Sequence, residues 1–272
     1  MVDSRGQGSG GFVIELNADR ASLLGQPLTV PGGQPLLPPQ VGPVSLGAVS
    51  PSSTPKFSTD WGGNFPSSFF DWLSGFVVGK SDLKRIRIFA ADFSGKPRLE
   101  LELPSAHLAH VVLPNLDAAS TEGARIRAVI QAPSAPWTKS VSGSVVVPFT
   151  PPQSKWTGAQ FLLTIAGLST AKVSKVDGIA FVAPGKCAQF AISVHPLEIG
   201  PFNAWLKTKE PRKATLVYYR VNLQPVCTLE FPALRVAAID APTAKADTRG
   251  VQATMAKYIV HLTPGSATFA TG

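Results

Sequence analysis

One run in the chain has the residue types of a phosphate-binding loop. It reads Gly75-Phe-Val-Val-Gly79-Lys80-Ser81. A phosphate loop needs four residues between its glycines and a preceding strand, because its backbone amides must converge on the phosphate. Here three residues separate the glycines, and the run follows a predicted helix. We therefore interpret Gly79 as the residue that ends or follows that helix, and we predict no nucleotide and no other cofactor.

The four histidines have the chemistry of metal ligands but not the spacing. His107 and His110 are three residues apart on a predicted strand, so their side chains point to opposite faces. His195 and His261 have no ligand-like spacing, and no cysteine pair completes a zinc site. We predict no metal site and interpret these histidines as structural or surface residues.

The carboxylates Glu100 and Glu102 are two residues apart and share one strand face, as a pair of catalytic acids would. The alternating strand before them places Arg85 and Arg87 where they can face these glutamates, and ion pairing accounts for the pattern better than acid–base catalysis. The chain also lacks a Gly-x-Ser-x-Gly nucleophile motif. We predict that the protein is not an enzyme.

Composition favours a β-rich protein that is covered by neighbours. Only 15% of the 272 residues are charged, against about 25% in typical domains, and the chain has 24 glycines and 25 prolines. A low-charge surface suits a subunit in contact with other chains. Cys187 and Cys227 lie among apolar residues and are predicted to be core fillers, not a disulfide.

Targeting signals are not apparent in the sequence. No apolar run approaches the about 18–20 residues of a membrane span, so we expect no membrane partner. The first eleven residues lack the apolar stretch of a secretory signal. We expect a protein that is made in the cytoplasm and stays there, or that leaves by a route needing no signal.

Positive charge is concentrated in the second half. Residues 1–150 hold 12 Lys/Arg and 11 Asp/Glu, a balance of +1, and residues 151–272 hold 13 and 6, a balance of +7. A basic half is compatible with nucleic acid or with an acidic protein neighbour. Its cations are scattered, which favours an ordinary solvated surface.

An internal repeat organises the chain. Shifted by 128 positions, residues 84–118 fall on residues 212–246 without a gap. Three prolines coincide, and each fixes backbone geometry in a strand: Pro97 falls on Pro225, Pro104 on Pro232 and Pro114 on Pro242. Upstream, residues 12–16 match 161–165, and Phe70 and Trp72 match Phe202 and Trp205 with small length changes. The alternative is two unrelated β-rich halves that share common turn residues.

Each copy is predicted to contain a strand, a helix and a hairpin. In copy one the helix spans 67–76, capped by Ser68, and the strands span 12–16, 85–89, 98–103, 107–113 and 124–131. In copy two the helix begins at Gly200-Pro201, and the strands span 161–165, 215–221, 226–231 and 255–262. A Pro/Gly/Ser-rich arm covers about 25–55, and a linker at 137–154 contains a short strand at 145–147.

These elements predict a mainly β fold with two tandem antiparallel β-sandwich or open-barrel domains, each with one short helix. The first domain covers residues 1–136 and the second covers residues 155–272.

Five motifs carry a resemblance to a known family: Leu113–Glu122, Asp71-Trp72, the hairpin with Asp92, Gly95 and Pro97, and, in copy two, Phe161–Leu168 and Val176–Ile179. They resemble the contractile-tail tube family, which includes phage tail tubes, injection-system tubes and the type VI tube protein. In that family an Asp-Ala-Ser-like turn introduces the last strand of the domain. In copy two the turn is altered to Ala244-Lys-Ala-Asp-Thr248. The chain thus resembles a tandem duplication of the tube domain.

The resemblance implies a structural role. Six tube domains form a ring around a lumen, and rings stack through loops and hairpins. Two domains per chain would allow a homotrimer with six domains, as in a baseplate hub or tube initiator that joins tube to spike, or a homohexamer with two stacked rings. The implied partners are the chain itself, neighbouring tube, sheath or baseplate proteins, and DNA or protein cargo in the lumen of a virion tail or injection particle.

A second class of function is a two-domain β-sandwich module that binds nucleic acid through the basic half. For the tube function we expect contacts from the arm at 25–55, the loop at 172–186, the hairpin strands at 85–103 and 215–231, and a basic cluster after the second helix. The candidate interaction residues are Arg85, Arg87, Glu100, Glu102, Lys172, Lys175, Lys186, Lys207, Lys209, Arg212 and Lys213.

Overall fold

The computed structural model describes residues 11–16, 19–22, 28–29, 56–62, 67–91, 97–133, 137–138, 156–242 and 257–271. The chain divides into two compact units. The first consists of Met1–Phe76, Ser81–Val111 and Arg125–Gln153, and the second of Val77–Lys80, Val112–Ala124 and Ser154–Gly272. Apart from Leu28–Thr29 and Trp137–Thr138, the predicted arm and linker lie outside the described residues, as does the hairpin turn at 92–96.

Strands dominate the described residues. Up to residue 138 the elements are β1 (Gly11–Leu16), β2 (Asp19–Ser22), β3 (Leu28–Thr29), β4 (Lys56–Gly62), α1 (Ser67–Val77), β5 (Lys84–Ala91), β6 (Pro97–Val112), β7 (Leu116–Asp117), β8 (Arg125–Gln131) and β9 (Trp137–Thr138). From residue 156 they are β10 (Trp156–Ile165), β11 (Val173–Asp177), β12 (Ala180–Ala183), β13 (Lys186–Cys187), β14 (Phe190–Val194), a 3₁₀ turn (Pro196–Glu198), α2 (Ile199–Thr208), β15 (Arg212–Arg220), β16 (Pro225–Asp240), β17 (Tyr258–Pro264) and β18 (Thr268–Thr271).

The two units contain sheets of similar strand order. In the first unit the order is β2-β1-β5-β6-β8-β4-β3, with β9 paired to β6. In the second unit it is β10-β15-β16-β17-β14-β11-β7, with β18 paired to β16. Strands β12 and β13 of this unit pair with each other and are not members of that sheet. Each unit carries one short α-helix, so the predicted mainly β, antiparallel fold class is confirmed.

The hairpins of the two units pair in the same register. Ile88 lies opposite Leu101 in the β5–β6 hairpin, and Leu216 lies opposite Leu229 in the β15–β16 hairpin, 128 positions later on both strands. The first strands occupy equivalent places in the pairing, because Phe12 pairs with Ala90 and Phe161 pairs with Tyr218; Tyr218 follows Ala90 by 128 positions, and Phe161 follows Phe12 by 149. The repeat seen in the sequence therefore coincides with the pairing of both strands of each hairpin.

The prolines explain one error in the predicted strands. We expected Pro104 to separate two strands, but β6 runs through it without a break. The register shifts there, since Ile86 pairs with Leu103 while Lys84 pairs with Ala106, which leaves one extra residue on β6. A β-bulge tolerates proline because the extra residue has no ladder bond to donate. The same shift occurs around Pro232, so β16 extends past its predicted end at 231.

Both helices bury an aromatic face. Phe69 and Trp72 are buried in α1, and Phe202 and Trp205 are buried in α2. Each indole N–H donates to a backbone carbonyl two residues before the next strand: Trp72 Nε1 to Asp82 O at 2.9 Å, and Trp205 Nε1 to Glu210 O at 2.6 Å. These two acceptors are again 128 positions apart.

Three predicted details of the two helices are wrong. Phe69, not Phe70, is the counterpart of Phe202, because it lies three residues before the tryptophan and is buried while Phe70 is half-buried. Ser68 lies inside α1 and its buried hydroxyl makes no capping bond. Pro201 is the third residue of α2, which is tolerated because the first amides of a helix have no intrahelical acceptor.

The predicted closing strands at 124–131 and 255–262 appear as β8 and β17. Strand β17 begins at Tyr258, and Met255 lies outside the described residues. No helix in the described part of the chain combines the length and hydropathy that a membrane crossing requires.

Candidate interaction surface

The predicted arginine–glutamate pairs form across the β5–β6 hairpin. Arg85 Nη2 lies 2.6 Å from Glu102 Oε1, and Arg87 Nε lies 2.5 Å from Glu100 Oε1. The Arg87 guanidinium also lies 4.8 Å from the centre of the Phe89 ring. These contacts confirm that the arginines face the glutamates, and they engage both carboxylates in ion pairs.

The second unit keeps one of these pairs. Lys213 Nζ lies 3.7 Å from Glu230 Oε2, at the positions 128 after Arg85 and Glu102. Exposed pairs of this kind contribute about 0–1 kcal/mol, so they favour the register of a hairpin more than its stability.

Two members of the predicted basic cluster are engaged within the second unit. Arg212 Nη1 donates to Ala166 O at 2.9 Å, and its guanidinium lies 5.4 Å from the Trp205 ring centre. Lys213 is in the ion pair with Glu230. Lys207 and Lys209 are exposed, and Lys209 ends α2 in the left-handed conformation with φ 54°. The predicted cluster therefore does not consist of four unpaired cations, since Arg212 and Lys213 have partners within the unit.

The predicted loop at 172–186 is wrong, since this stretch contains β11 and β12 and ends at the start of β13. Lys175 Nζ pairs with Asp177 Oδ2 at 3.0 Å. The backbone N–H of Lys172 donates to Glu198 Oε2 at 3.2 Å, and its side chain is exposed. Lys186 is also exposed, at the first position of β13. The strands here are short and are separated by glycine turns at 178 and 185, so no periodic pattern long enough to predict them appears in the sequence.

The motif Leu113–Glu122 lies in the second unit, where it pairs with β11. Leu116 is fully buried and pairs with Val176, and Asp117 pairs with Lys175. Four backbone or side-chain bonds fix the segment: Leu113 N to Ile179 O at 2.9 Å, Ala118 N to Ser174 O at 3.0 Å, Gly178 N to Asn115 Oδ1 at 3.1 Å, and Ala119 N to Asp117 Oδ1 at 2.9 Å.

The same segment contacts β10 on its other side. Ala124 N donates to Trp156 O at 2.8 Å, and Gly123 forms an isolated bridge with Thr157. A Cβ at Gly158 would lie 2.7 Å from Asn115 O, so only glycine fits there. Since β10 and β11 lie near opposite ends of the strand order, the segment nearly closes the sheet of the second unit. The sequence did not predict this role, because no local pattern names the partner of a two-residue strand.

A buried polar cluster lies beside the β15–β16 pairing. Tyr218 is fully buried, and its hydroxyl has no hydrogen-bond partner. Burial raises the pKa of Tyr218 well above its usual value, and the nearby thiols of Cys227 and Cys187 raise this pKa further. Burial also raises the pKa of Cys187 to about 12 and that of Cys227. Both cysteines are free thiols, with Cys227 buried as predicted and Cys187 half-buried.

We expect Tyr218→Phe to stabilise the second unit by about 1–3 kcal/mol, because it removes a buried hydroxyl that has lost its water without gaining a partner. The measurement is the urea midpoint of unfolding followed by far-UV circular dichroism. Tyr219→Phe is the matched control, since Tyr219 is half-exposed on the opposite strand face, and it should leave the midpoint unchanged. A lower midpoint for Tyr218→Phe would contradict the prediction.

Two of the four histidines lie along β6, and the other two make side-chain hydrogen bonds. His107 and His110 are half-buried along β6. His195 Nδ1 accepts from Leu197 N at 3.2 Å, and His261 Nε2 lies 2.8 Å from Asp240 Oδ2. Within the described ranges, no group of three or more His, Cys, Asp or Glu side chains is placed to hold a metal ion.

Large apolar side chains stand exposed on the second unit, and sequence reasoning did not single them out. They are Val78, Leu162, Val182, Leu197, Val221 and Leu223. Leu223 is also one of two described non-glycine residues with positive φ, at 62°.

No family model matches the chain, and no curated protein matches it. Among solved structures, the chain is similar to the crystal structure of Hcp1 from Salmonella typhimurium, with 9% identity over 60% of this chain and 87% of that chain and a TM-score of 0.27. It is likewise similar to a crystal structure of an Hcp protein, with 9% identity over 60% of this chain and 90% of that chain and a TM-score of 0.28.

Proposed function

We propose that the protein is a structural subunit of a contractile tail or injection system that forms a ring or a stacked tube around a lumen. In this proposal the chain is a tandem duplication of a tube-type domain, with domains at 1–136 and 155–272. The observation that carries the duplication is the shared hairpin register, in which strand pairs, bulges and prolines recur after 128 positions.

A tube role accounts for the low charge and the sheet-rich units. Neutral surfaces are favourable where neighbours cover them, and closing sheets into a ring removes edges that would otherwise aggregate. The ion-paired hairpin faces carry almost equal numbers of opposite charges, which suits a wall that contacts neighbours or lines a lumen. The motif resemblance at Leu113–Glu122 supports the same assignment.

The number of units favours a second candidate within this class. Two tube-type units in one chain give six units from three copies, which is the arrangement that a threefold hub or tube initiator needs to join a tube to a spike. In both assemblies the exposed Lys172, Lys186, Lys207 and Lys209 would face an acidic sheath, tube or baseplate protein. The protein would then reside in a virion tail or an injection particle after assembly in the cytoplasm.

The mass and rotational symmetry of the purified assembly test this proposal. Native mass spectrometry and negative-stain microscopy should show closed rings with six units, made of three copies or of six. Three copies would select the hub, and six copies would select stacked rings of the tube. A monomer whose binding to nucleic acid weakens steeply with salt would overturn the proposal in favour of the nucleic-acid module.

A further inference from the structure

Two glycine turns of the second unit touch through their backbones. Gly79 comes two residues after the end of α1 and has φ 96°, and Gly185 lies in the turn between β12 and β13 and has φ 69°. A Cβ at Gly185 would lie 3.0 Å from Gly79 Cα and 3.3 Å from Gly79 N. Both turns belong to the second unit, because Val77–Lys80 is part of it. Gly185 is therefore required both for its positive φ and for this close approach.

A lysine directly follows each of these two glycines. Lys80 and Lys186 are both exposed. Consecutive Cα atoms are about 3.8 Å apart, so the contact between the glycines keeps the two lysine Cα atoms within roughly 12 Å of each other. Lysine carries its charge on a flexible four-carbon stem, so both ammonium groups can reach one extended ligand.

Neither lysine is neutralised in the described part of the chain. No carboxylate of the described residues forms an ion pair with Lys80 or Lys186. Lys175 of the same unit, by contrast, pairs with Asp177 at 3.0 Å. The charge balance of residues 151–272 is +7, which strengthens the attraction of any negative ligand to this part of the chain. Two neighbouring ammonium groups without ion pairs therefore favour an acidic ligand.

An exposed valine beside the lysines narrows the class of ligand. Val78 immediately precedes Gly79 and is 49% exposed, and its carbonyl carbon lies 3.8 Å from the Cβ position of Gly185. A polypeptide that contains both acidic and apolar residues can pair with the lysines and also cover the valine. A nucleic acid backbone would use the positive charges alone. The combination therefore favours a protein ligand.

We propose that the surface formed by Val78, Lys80 and Lys186 docks an acidic, partly apolar segment of a partner protein. We name it the paired-glycine surface, because the contacting glycines fix the spacing of its two lysines. The fully buried Phe181 pairs with Cys187 and anchors the hairpin that carries Lys186. This inference rests on the proposed function, for which it narrows the contact with an acidic neighbour to one surface.

Binding of labelled probes to the full-length protein tests the paired-glycine surface. The probes are a fluorescein-labelled glutamate/leucine peptide, an all-glutamate peptide of the same length and an oligodeoxythymidylate, each followed by fluorescence anisotropy at fixed salt. Lys80→Gln/Lys186→Gln should weaken binding of the glutamate/leucine peptide about tenfold, because two charge pairs are lost. Lys207→Gln/Lys209→Gln removes two other exposed lysines of the same unit and is the charge-matched control. It should change the affinity by less than about twofold, since salt screens charges that do not contact the peptide.

Three further variants separate the spacing and the apolar contact from the charge. Gly185→Ala retains both lysines but forces the two turns apart, so it should also weaken binding of the glutamate/leucine peptide. Val78→Ser should weaken binding of that peptide about threefold and leave the all-glutamate peptide unchanged. Leu162→Ser removes another apolar side chain of the unit, 52% exposed, and should change neither affinity. The urea midpoints of the Val78 and lysine variants should equal that of the wild type, because the altered side chains are exposed.

The outcomes distinguish the surface from the proposed function. No binding of the glutamate/leucine peptide by the wild type, or equal losses from the two pairs of lysine substitutions, would overturn the surface while rings persist in electron micrographs. Tighter binding of the oligodeoxythymidylate, with the same dependence on Lys80 and Lys186, would overturn the protein ligand in favour of nucleic acid. Absence of rings in the wild-type protein would instead overturn the proposed function, and the peptide titrations would still decide whether the surface binds acidic segments.

Discussion

Replacing Trp205 with alanine should destabilise the second unit by about 3–5 kcal/mol, the usual cost of removing a buried tryptophan. The side chain is fully buried, and its ring centre lies 6.4 Å from that of Phe202. It also supports the Arg212 guanidinium, 5.4 Å from the ring centre. Since Arg212 donates to Ala166 O, the substitution removes a packing surface and loosens the connection between α2 and the turn after β10.

Urea unfolding followed by circular dichroism measures the loss of stability. A second variant at Trp205 separates the contribution of its ring from that of its hydrogen bond, and a variant of an exposed residue in the same helix is the control. Trp205→Phe retains most of the apolar ring but removes the donor to Glu210 O, so we expect about 1–3 kcal/mol of destabilisation from the unpaired carbonyl and reduced packing. Asn203→Ala changes an exposed residue of the same helix and should alter stability by less than about 0.5 kcal/mol. A midpoint for Trp205→Ala close to that of Asn203→Ala would contradict the assignment of Trp205 to the core.

Local patterns predicted the hairpins and helices well because their partners are near in sequence. The alternation around Arg85 and Glu102 identifies both the strands and the face that each residue occupies, and the ion pair follows from that face. The aromatic spacing in α1 similarly predicts which side of the helix is buried. Because the chain contains a repeat, the same residue pattern predicts the equivalent hairpin and helix a second time in copy two.

Predictions failed where a local rule competed with a tertiary partner. Proline usually interrupts a strand, so we expected a strand to end before Pro104. In the structure a β-bulge accommodates Pro104, and β6 continues past it alongside β5. The sequence placed Arg212 in an exposed basic cluster. In the structure its guanidinium lies over the Trp205 ring and donates a hydrogen bond to Ala166 O. The exposed Leu197 and Leu223 carry no signal in hydrophobic periodicity, because each belongs to a short turn.

The segment at 113–124 was the most difficult to predict, because its partners are distant in sequence. Its strand has only two residues, Leu116–Asp117, and pairs with residues about 60 positions later. The sequence singled out Leu113–Glu122 as a motif resembling a turn that introduces a strand, but it gave neither the pairing with β11 nor the close approach of Gly158 to Asn115 O. A sequence pattern identifies strands but not which distant edge a short strand will join.

Leu116→Ala should open the nearly closed sheet of the second unit and destabilise it by about 2–5 kcal/mol. The side chain is fully buried and is the only apolar anchor of β7, whose other residue is Asp117. Hydrogen exchange gives the local readout. The amides of Leu113 and Ala118 donate to Ile179 O and Ser174 O, so they should exchange faster in the variant, together with Gly178, which donates to Asn115 Oδ1.

Gly158→Ala tests the same closure from the opposite side. A Cβ there lies 2.7 Å from a backbone carbonyl that cannot rotate away, so β10 and residues 115–117 must separate. We expect faster exchange at Ala124, whose amide donates to Trp156 O, as well as at Ala118. Glu122→Ala is the control, because Glu122 is an exposed side chain in the same segment and should leave exchange at these amides unchanged. If both core variants retained wild-type protection at Leu113, Ala118 and Ala124, residues 113–124 would not be the closing segment of this sheet.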